Sequence, residues 1–376
     1  MDERLFAEPR RRGRRRVVLK LGSRLLTGGG PSLAPERVRM YVDAVAAYPE
    51  VETVIVSSGA IAAGYRDLGL SAPPKRVPER QAAAAVGQSL LMREYAEHFT
   101  RHGKRVAQVL LTNDCLQDRK RFVNAKNAFA VLSAAGIVPI VNENDTVSVE
   151  EIMVGDNDNL AAHTAALVEA DLLVLLTDVA GVYDRDPSDP EAKLIEYAAT
   201  ADELRPYCFA KKHRESRGGM QTKLEAAEKA ARYGIPTIIA SGWDADAIHA
   251  IYSGRPVGTR IAASPRPLRA HEHWMAVQKR LTGGIVVDAG ALAALRRGSS
   301  LLPKGVVEVV GRFRAGDLIS IFDAAGVEHA RGIAQLGDRD VDRVKGRHSS
   351  EIEDILGRPA AEEVVHADKL MRMEER

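Results

Sequence analysis

Two lysines stand where an apolar run or a glycine loop ends, and between them in the chain lies a crowd of carboxylates and carboxamides. Lys20 closes Val17-Val18-Leu19 and is followed by Leu21-Gly22-Ser23. Lys223 follows Gly218-Gly219-Met220-Gln221-Thr222, where a helical pattern opens with Leu224, Ala227 and Ala231 on one face. The polar residues form two blocks: Asn142-Glu143-Asn144-Asp145, after the apolar run 137–141, and Gly155-Asp156-Asn157-Asp158-Asn159, ahead of Leu160, Thr164 and Leu167. Polar groups gathered where a strand stops and a helix starts mark the ligand crevice of an open α/β sheet. The plain reading is a polar turn with Asp156 as a helix cap. Two neighbouring blocks, each more polar than a turn requires, favour a site. Such donors and acceptors suit a ligand with an ammonium group, or a bound Mg²⁺.

Two more polar strand ends complete the set. Ser57-Ser58-Gly59-Ala60 offers backbone N–H groups and a hydroxyl to an anion, although Ser and Gly also serve ordinary turns. Thr177-Asp178 ends another apolar run. Cations for a transferring group, N–H donors and a carboxylate to position them are the parts of a phosphoryl-transfer site. Each lysine alone would be read as a solvated surface residue; their shared placement beside glycine argues otherwise. The loop before Lys223 is not the GxxxxGK[ST] phosphate loop.

The elements that must position these groups follow from periodicity. Apolar runs at 17–21, 53–57, 106–111, 137–141, 172–176 and 235–240 read as buried strands, the last of them closing the domain. Helical patterns lie between them, at 61–64, 80–99 and 122–135, from 35 onward, and opened by the stretch 218–223. The alternation predicts a mostly parallel sheet sandwiched by helices. The proline-bearing stretch 262–273 separates this domain, 16–261, from a small β-rich module at 274–368. The module's strands are expected at 285–287, 306–310, 318–322 and 332–334, with one clear helix at 289–297 and a shorter one near 350–356.

At 376 residues the chain is long enough for two cores, and a net charge of +2 implies no polyanionic partner. No apolar run approaches a membrane span, and the N-terminal residues lack the apolar centre of a signal peptide. Cys115 and Cys208 cannot make a disulfide framework and read as core thiols of a cytoplasmic protein. His271 and His273, two apart, lack the spacing of a helical zinc site. Residues 10–16 form the one basic run, and a basic, disordered tail is expected over 1–15, with RNA contact as the alternative use.

The stretches VVLKLGS (17–23), SSGAIAAG (57–64), PIVNENDTV (139–147), VGDNDNLAA (154–162), LLTDVAGVY (175–183) and GGMQTKLEAA (218–227) resemble the glutamate 5-kinases of the amino acid kinase superfamily. GSSLLPKGV (298–306) and GRHSSEIEDILG (346–357) resemble the PUA domain that many of them carry. The resemblance implies ATP-dependent phosphorylation of the side-chain carboxylate of L-glutamate, the first step toward proline, with Mg²⁺ accompanying ATP. It implies that Lys20 and Lys223 stabilise the transferring group and that Asp158 holds them. Ser58, Asp145 and Asn157, with Asn142 close by, fall on the glutamate positions. Lys20, Gly22, Thr177, Asp178 and the loop Arg217, Gly218, Gly219, Met220, Gln221, Thr222 and Lys223 fall on the nucleotide site. It also implies a homo-oligomer and feedback inhibition by proline. Three positions depart from the pattern: Arg24 where Ser is usual, Ser216-Arg217 where Gly-Thr is usual, and Met153 where a basic residue is common. Another small-acid or phosphate kinase of the superfamily is the near alternative. An RNA-binding or regulatory protein working through the PUA domain is the distant one.

Overall fold

The computed structural model describes residues 14–112, 119–147, 157–208, 219–265 and 283–373, with 267, 275 and 281 besides. Met153, Gly155, Asp156, Cys115, Ser216, Arg217 and Gly218 lie outside them, as do His271 and His273. The chain divides into two compact units, Met1–Leu268 and Arg269–Arg376.

The first unit is built on an eight-stranded sheet in the order β3-β4-β2-β1-β5-β7-β8-β6. Its strands are β1 (Arg15–Leu21), β2 (Val51–Ser57), β3 (Val106–Leu111), β4 (Val138–Glu143), β5 (Leu172–Thr177), β6 (Tyr197–Ala198), β7 (Thr237–Ser241) and β8 (Thr259–Ile261). Every pairing is parallel except β7 with β8. The strand at 235–240 therefore does not close the sheet: β8 and the two-residue β6 lie beyond it. Both are too short to show a period of their own.

Helices α1 (Ser23–Leu26), α2 (Pro35–Ala46), α3 (Ala60–Gly64), α4 (Val77–Arg101), α5 (Arg119–Ala134), α6 (Asn157–Leu167), α7 (Met220–Arg232) and α8 (Asp246–Tyr252) complete the unit. Alternation along β1 decides what faces what. Val17, Leu19 and Leu21 enter a core with Tyr41 and Val45 of α2, Leu91, Tyr95 and Phe99 of α4, and Ile248 and Ile251 of α8. Val18 and Lys20 point to the other face, where α6 packs on β1 and α7 packs on α6. That single alternation aims Lys20 at the helices that carry Asp158 and Lys223.

The strand order also matters. β1 to β4 lie on one side of the β1–β5 junction and β5 to β8 on the other. Such a reversal opens a crevice at the carboxyl ends of the strands. In register, Leu21 pairs with Ser57 and Leu176, and Thr177 pairs with Ser241, so those ends lie level. α6 is the crossover from β4 to β5 and so starts at the crevice.

The expected tail runs one residue too far: Arg15 begins β1, followed by Arg16. Arg16 is buried, its backbone N–H donating to Asp171 at 2.8 Å and its guanidinium to Glu52 at 2.9 Å and Ser133 at 3.1 Å.

The second unit holds β9 (Gly283–Val287), β10 (Val306–Gly311), β11 (Leu318–Phe322), β12 (Glu328–Ala334) and β13 (Val365–Arg372) in the order β10-β9-β11-β12-β13. Its helices are α9 (Ala289–Arg296), α10 (Asp338–Val344) and α11 (Ile352–Leu356). β13 and α10 go beyond the sequence reading. Their sequences VHADKLMR and DRDVDRV are too charged to stand out, yet Val341, Val344, Val365 and Leu370 all enter the core.

Candidate active site

Asp158, in the first turn of α6, is the centre of the first cluster. Its Oδ1 lies 2.6 Å from the Lys20 Nζ, and its Oδ2 accepts from the Lys223 Nζ at 2.9 Å. The Thr222 hydroxyl lies 2.9 Å from both Asp158 Oδ2 and the Gly219 carbonyl, and donates to one of them at a time. Lys20, Asp158 and Lys223 are all buried. Burial works against the carboxylate's charge, but the two ammonium groups outweigh it and hold Asp158 well below the usual carboxylate range. The start of a helix favours the same negative charge. The result is a fixed pair of cations on one anion, a net positive locus inside the protein.

Asn157, one residue earlier, serves a second cluster. Its amide nitrogen shares two hydrogens among three acceptors: the Ser57 carbonyl at 3.1 Å, the Ser58 Oγ at 2.8 Å and the Asn142 Oδ1 at 3.1 Å. Asn142 in turn donates to Gln88 of α4 at 2.8 Å, and Ser57 meets the Tyr95 hydroxyl at 2.9 Å. Burial raises the Tyr95 phenol above its ordinary range, so it stays neutral. With its nitrogen spent on protein acceptors, Asn157 keeps its carbonyl oxygen for a donor such as an ammonium group. Asp145 follows β4 in the turn whose Thr146 carbonyl receives Gln81 of α4.

The Ser58 turn depends on glycine at three places. Gly59 has φ of 98°, a left-handed backbone that side chains resist. α3 and α4 then cross in backbone contact. A Cβ on Gly87 would fall 1.8 Å from the Ala60 carbonyl oxygen, and one on Gly64 would fall 2.2 Å from that of Ala83.

Across the β1–β5 junction, Thr177 donates to Asp178 at 3.1 Å, and Arg24 of α1 forms an ion pair with Asp178 at 3.0 Å. Trp243 donates its indole N–H to the Asp178 carbonyl at 3.1 Å. Gly22 lies beside Lys20: a Cβ there would meet the Lys20 Nζ at 3.8 Å. Gly219 precedes α7, Met220 and Thr222 are half-buried, and the exposed Gln221 turns to Glu225 at 3.1 Å. The expected residues thus gather as a lysine–aspartate cluster, an amide–serine cluster and the Thr177–Asp178 strand end. Gln88, Tyr95 and Trp243 were not legible in the sequence, being single polar residues within helical or turn patterns. Arg24 was visible only as a departure.

The carboxylate that holds two buried lysines lies in a chain with close relatives among known proteins. The amino acid kinase family matches residues 15–241 and the PUA domain residues 283–356. A glutamate 5-kinase of Chromohalobacter salexigens is 46% identical over 361 residues, 95% of this chain and 96% of that protein. Glutamate 5-kinases of Citrifermentans bemidjiense and Pseudomonas putida are 44% and 45% identical, covering 95% and 96% of this chain and 97% and 98% of theirs. The chain belongs to the glutamate 5-kinase family. It is a kinase with a C-terminal PUA domain. The lysine–aspartate cluster of this glutamate 5-kinase family member lies wholly within the part matched to amino acid kinases. Among the described residues, no helix is long and apolar enough to cross a membrane, and no three His, Cys, Asp or Glu side chains are grouped to hold a metal ion.

Proposed function

We propose that the chain transfers the γ-phosphoryl group of ATP to the side-chain carboxylate of L-glutamate, giving γ-glutamyl phosphate and ADP, the first step toward proline. The observation that carries this reading is the pair Lys20 and Lys223 on the two oxygens of Asp158. The reaction brings two anions together: a carboxylate oxygen bonds to the γ-phosphorus while the bond to the β,γ-bridging oxygen breaks. The nucleophile is already ionised, so no general base is needed. What remains is positioning and charge. Lys20 and Lys223 offset the negative charge on the phosphoryl oxygens, and Asp158 fixes where those ammonium groups stand. Ser58, Asn142, Asn157 and Asp145 bind the amino acid portion of glutamate, with Asn157 and Asp145 accepting from its ammonium group. Gly22, Thr177, Asp178 and the loop from Arg217 through Thr222 line the nucleotide.

Mg²⁺ enters on the nucleotide. Asp158 is committed to two lysines and does not suit a metal; the phosphate oxygens themselves would carry the ion. Proline shares the α-amino acid portion of glutamate and is expected to compete for the Asn157 side of the site. A homo-oligomer is supported by the edge position of β3, where Leu110 is exposed, and by exposed Val123 and Val131 of α5. A cytoplasmic setting fits a chain with two lone cysteines. With Arg16 engaged by Glu52 and Ser133, RNA contact by the arginine run would fall to the arginines that precede the first strand. We place the domain boundary in the linker 262–273.

The test is ADP release in the presence of hydroxylamine, which traps an acyl phosphate as a hydroxamate. Glutamate-dependent hydroxamate supports the reading. ADP release that is indifferent to glutamate, or that prefers a phosphate or another small acid, refutes it. Proline raising the apparent KM for glutamate without lowering kcat supports a shared site; inhibition insensitive to glutamate refutes that part.

A further inference from the structure

Arg24 lies on α1, one turn past Lys20 and Gly22, and its Nη1 is 3.0 Å from the Asp178 Oδ2. The pair joins the segment after β1 to the segment after β5, across the junction where the strand order reverses. An isolated exposed ion pair contributes little and holds no fixed geometry. This one is held from both ends. The Arg24 carbonyl accepts the Gly29 N–H at 2.9 Å and the Thr27 hydroxyl at 3.3 Å. Asp178 is held by Thr177 at its carboxylate and by Trp243 at its carbonyl. Arg37 ties the two ends together. It donates to the Leu25 carbonyl at 3.1 Å and the Trp243 carbonyl at 2.6 Å, and its guanidinium lies 5.6 Å from the Trp243 ring.

Arg24 nevertheless keeps most of its side chain accessible, 62% against 18% for Asp178. A guanidinium has five N–H donors in a planar fork suited to phosphate oxygens. One nitrogen is engaged by Asp178, and the exposure of the side chain leaves its other donors accessible from solvent.

We propose that Arg24 is a third cation of the phosphoryl-transfer site, one that contacts the polyphosphate of the bound nucleotide and is aimed at it by Asp178. This rests on the nucleotide-site reading above.

The experiment uses the full chain and Arg24→Ala and Arg24→Lys variants. Read-outs are KM for ATP, KM for glutamate, kcat, and the inhibition constants of ADP and of adenosine. The expected result for Arg24→Ala is a rise of about tenfold or more in KM for ATP and in the ADP inhibition constant, the size of a charge-assisted hydrogen bond. The adenosine constant and KM for glutamate should stay within about twofold, since neither ligand carries the phosphates. Arg24→Lys should recover part of the loss. A KM for ATP within twofold of the parent value overturns the proposal and leaves an ordinary surface pair. Equal weakening of ADP and adenosine also overturns it, because Arg24 would then only prop the loop. Failure of the parent chain to turn over ATP with glutamate would instead sink the function proposed above.

Discussion

Asn157 and Asp158 are adjacent in the chain and serve opposite halves of the site. The Asn157 amide is bonded to Ser58 and Asn142, whereas the Asp158 carboxylate takes Lys20 and Lys223. On a helix, neighbouring residues point about 100° apart. On the proposed assignment, the first turn of α6 stands between glutamate and the nucleotide. Substitutions at the two positions should split kinetically. Asn157→Ala and Asp145→Ala should raise KM for glutamate about ten- to a hundredfold, the worth of a hydrogen bond to a charged group, with kcat changed much less. Initial rates over a range of glutamate concentrations check this; a fall in kcat at unchanged KM would put both residues on the wrong side.

Asp158→Asn should act on kcat and on stability together. It leaves two buried ammonium groups without their counter-charge, a loss of about 3–5 kcal/mol for breaking a buried pair. The sign of the pH dependence is fixed by the depressed Asp158 value. A carboxylate held below its ordinary range contributes stability that is complete above its unfolded value of about 3.9 and is lost as pH falls through the folded value. Urea unfolding of parent and variant should thus differ by a constant amount at neutral pH and converge only in acid. Convergence at neutral pH would contradict the charge assignment.

Gly87→Ala should be among the costliest small changes outside the site. Its Cβ would sit 1.8 Å from the Ala60 carbonyl, so α3 must move away from α4. Overpacking of this kind costs about 1–3 kcal/mol or more. Denaturant midpoints measure it, and an unchanged midpoint would mean that the two helices separate freely.

A chain ending after Ala263 should keep a glutamate-dependent rate. Lys20, Ser58, Asp158, Thr177 and Lys223 all belong to the first compact unit, which has its own core. Loss of all activity in a truncation that still folds, as judged by circular dichroism, would show that the PUA domain contributes to the chemistry.

Strand ends that carry site residues were legible because buried parallel strands read as unbroken apolar runs. Lys20, Ser57, Asn142 and Thr177 interrupt those runs and so announce themselves. The order of the strands was not legible, since pairings such as β1 with β5 join segments far apart in sequence. Nor were β6 and β8, at two and three residues. Gln88 and Trp243 stayed hidden for another reason: a single polar group within a helix or turn carries no period, and only the folded chain shows what it meets. The arginine run misled in part, because Arg15, expected in the tail, already begins β1, next to Arg16, a buried clamp on Asp171, Glu52 and Ser133.

The central claim is that Lys20 and Lys223 offset charge on the group being transferred. Removing one preorganised donor of this kind costs about 2.7–4 kcal/mol, or roughly a hundred- to a thousandfold in rate. The most direct measurement is the single-turnover rate of glutamate-dependent ADP formation in Lys20→Ala and Lys223→Ala, at saturating ATP and glutamate, with folding checked by circular dichroism. Each variant is predicted to be slower by about that factor while KM for glutamate stays nearly unchanged. A folded variant of either kind that turns over at close to the parent rate would contradict the account.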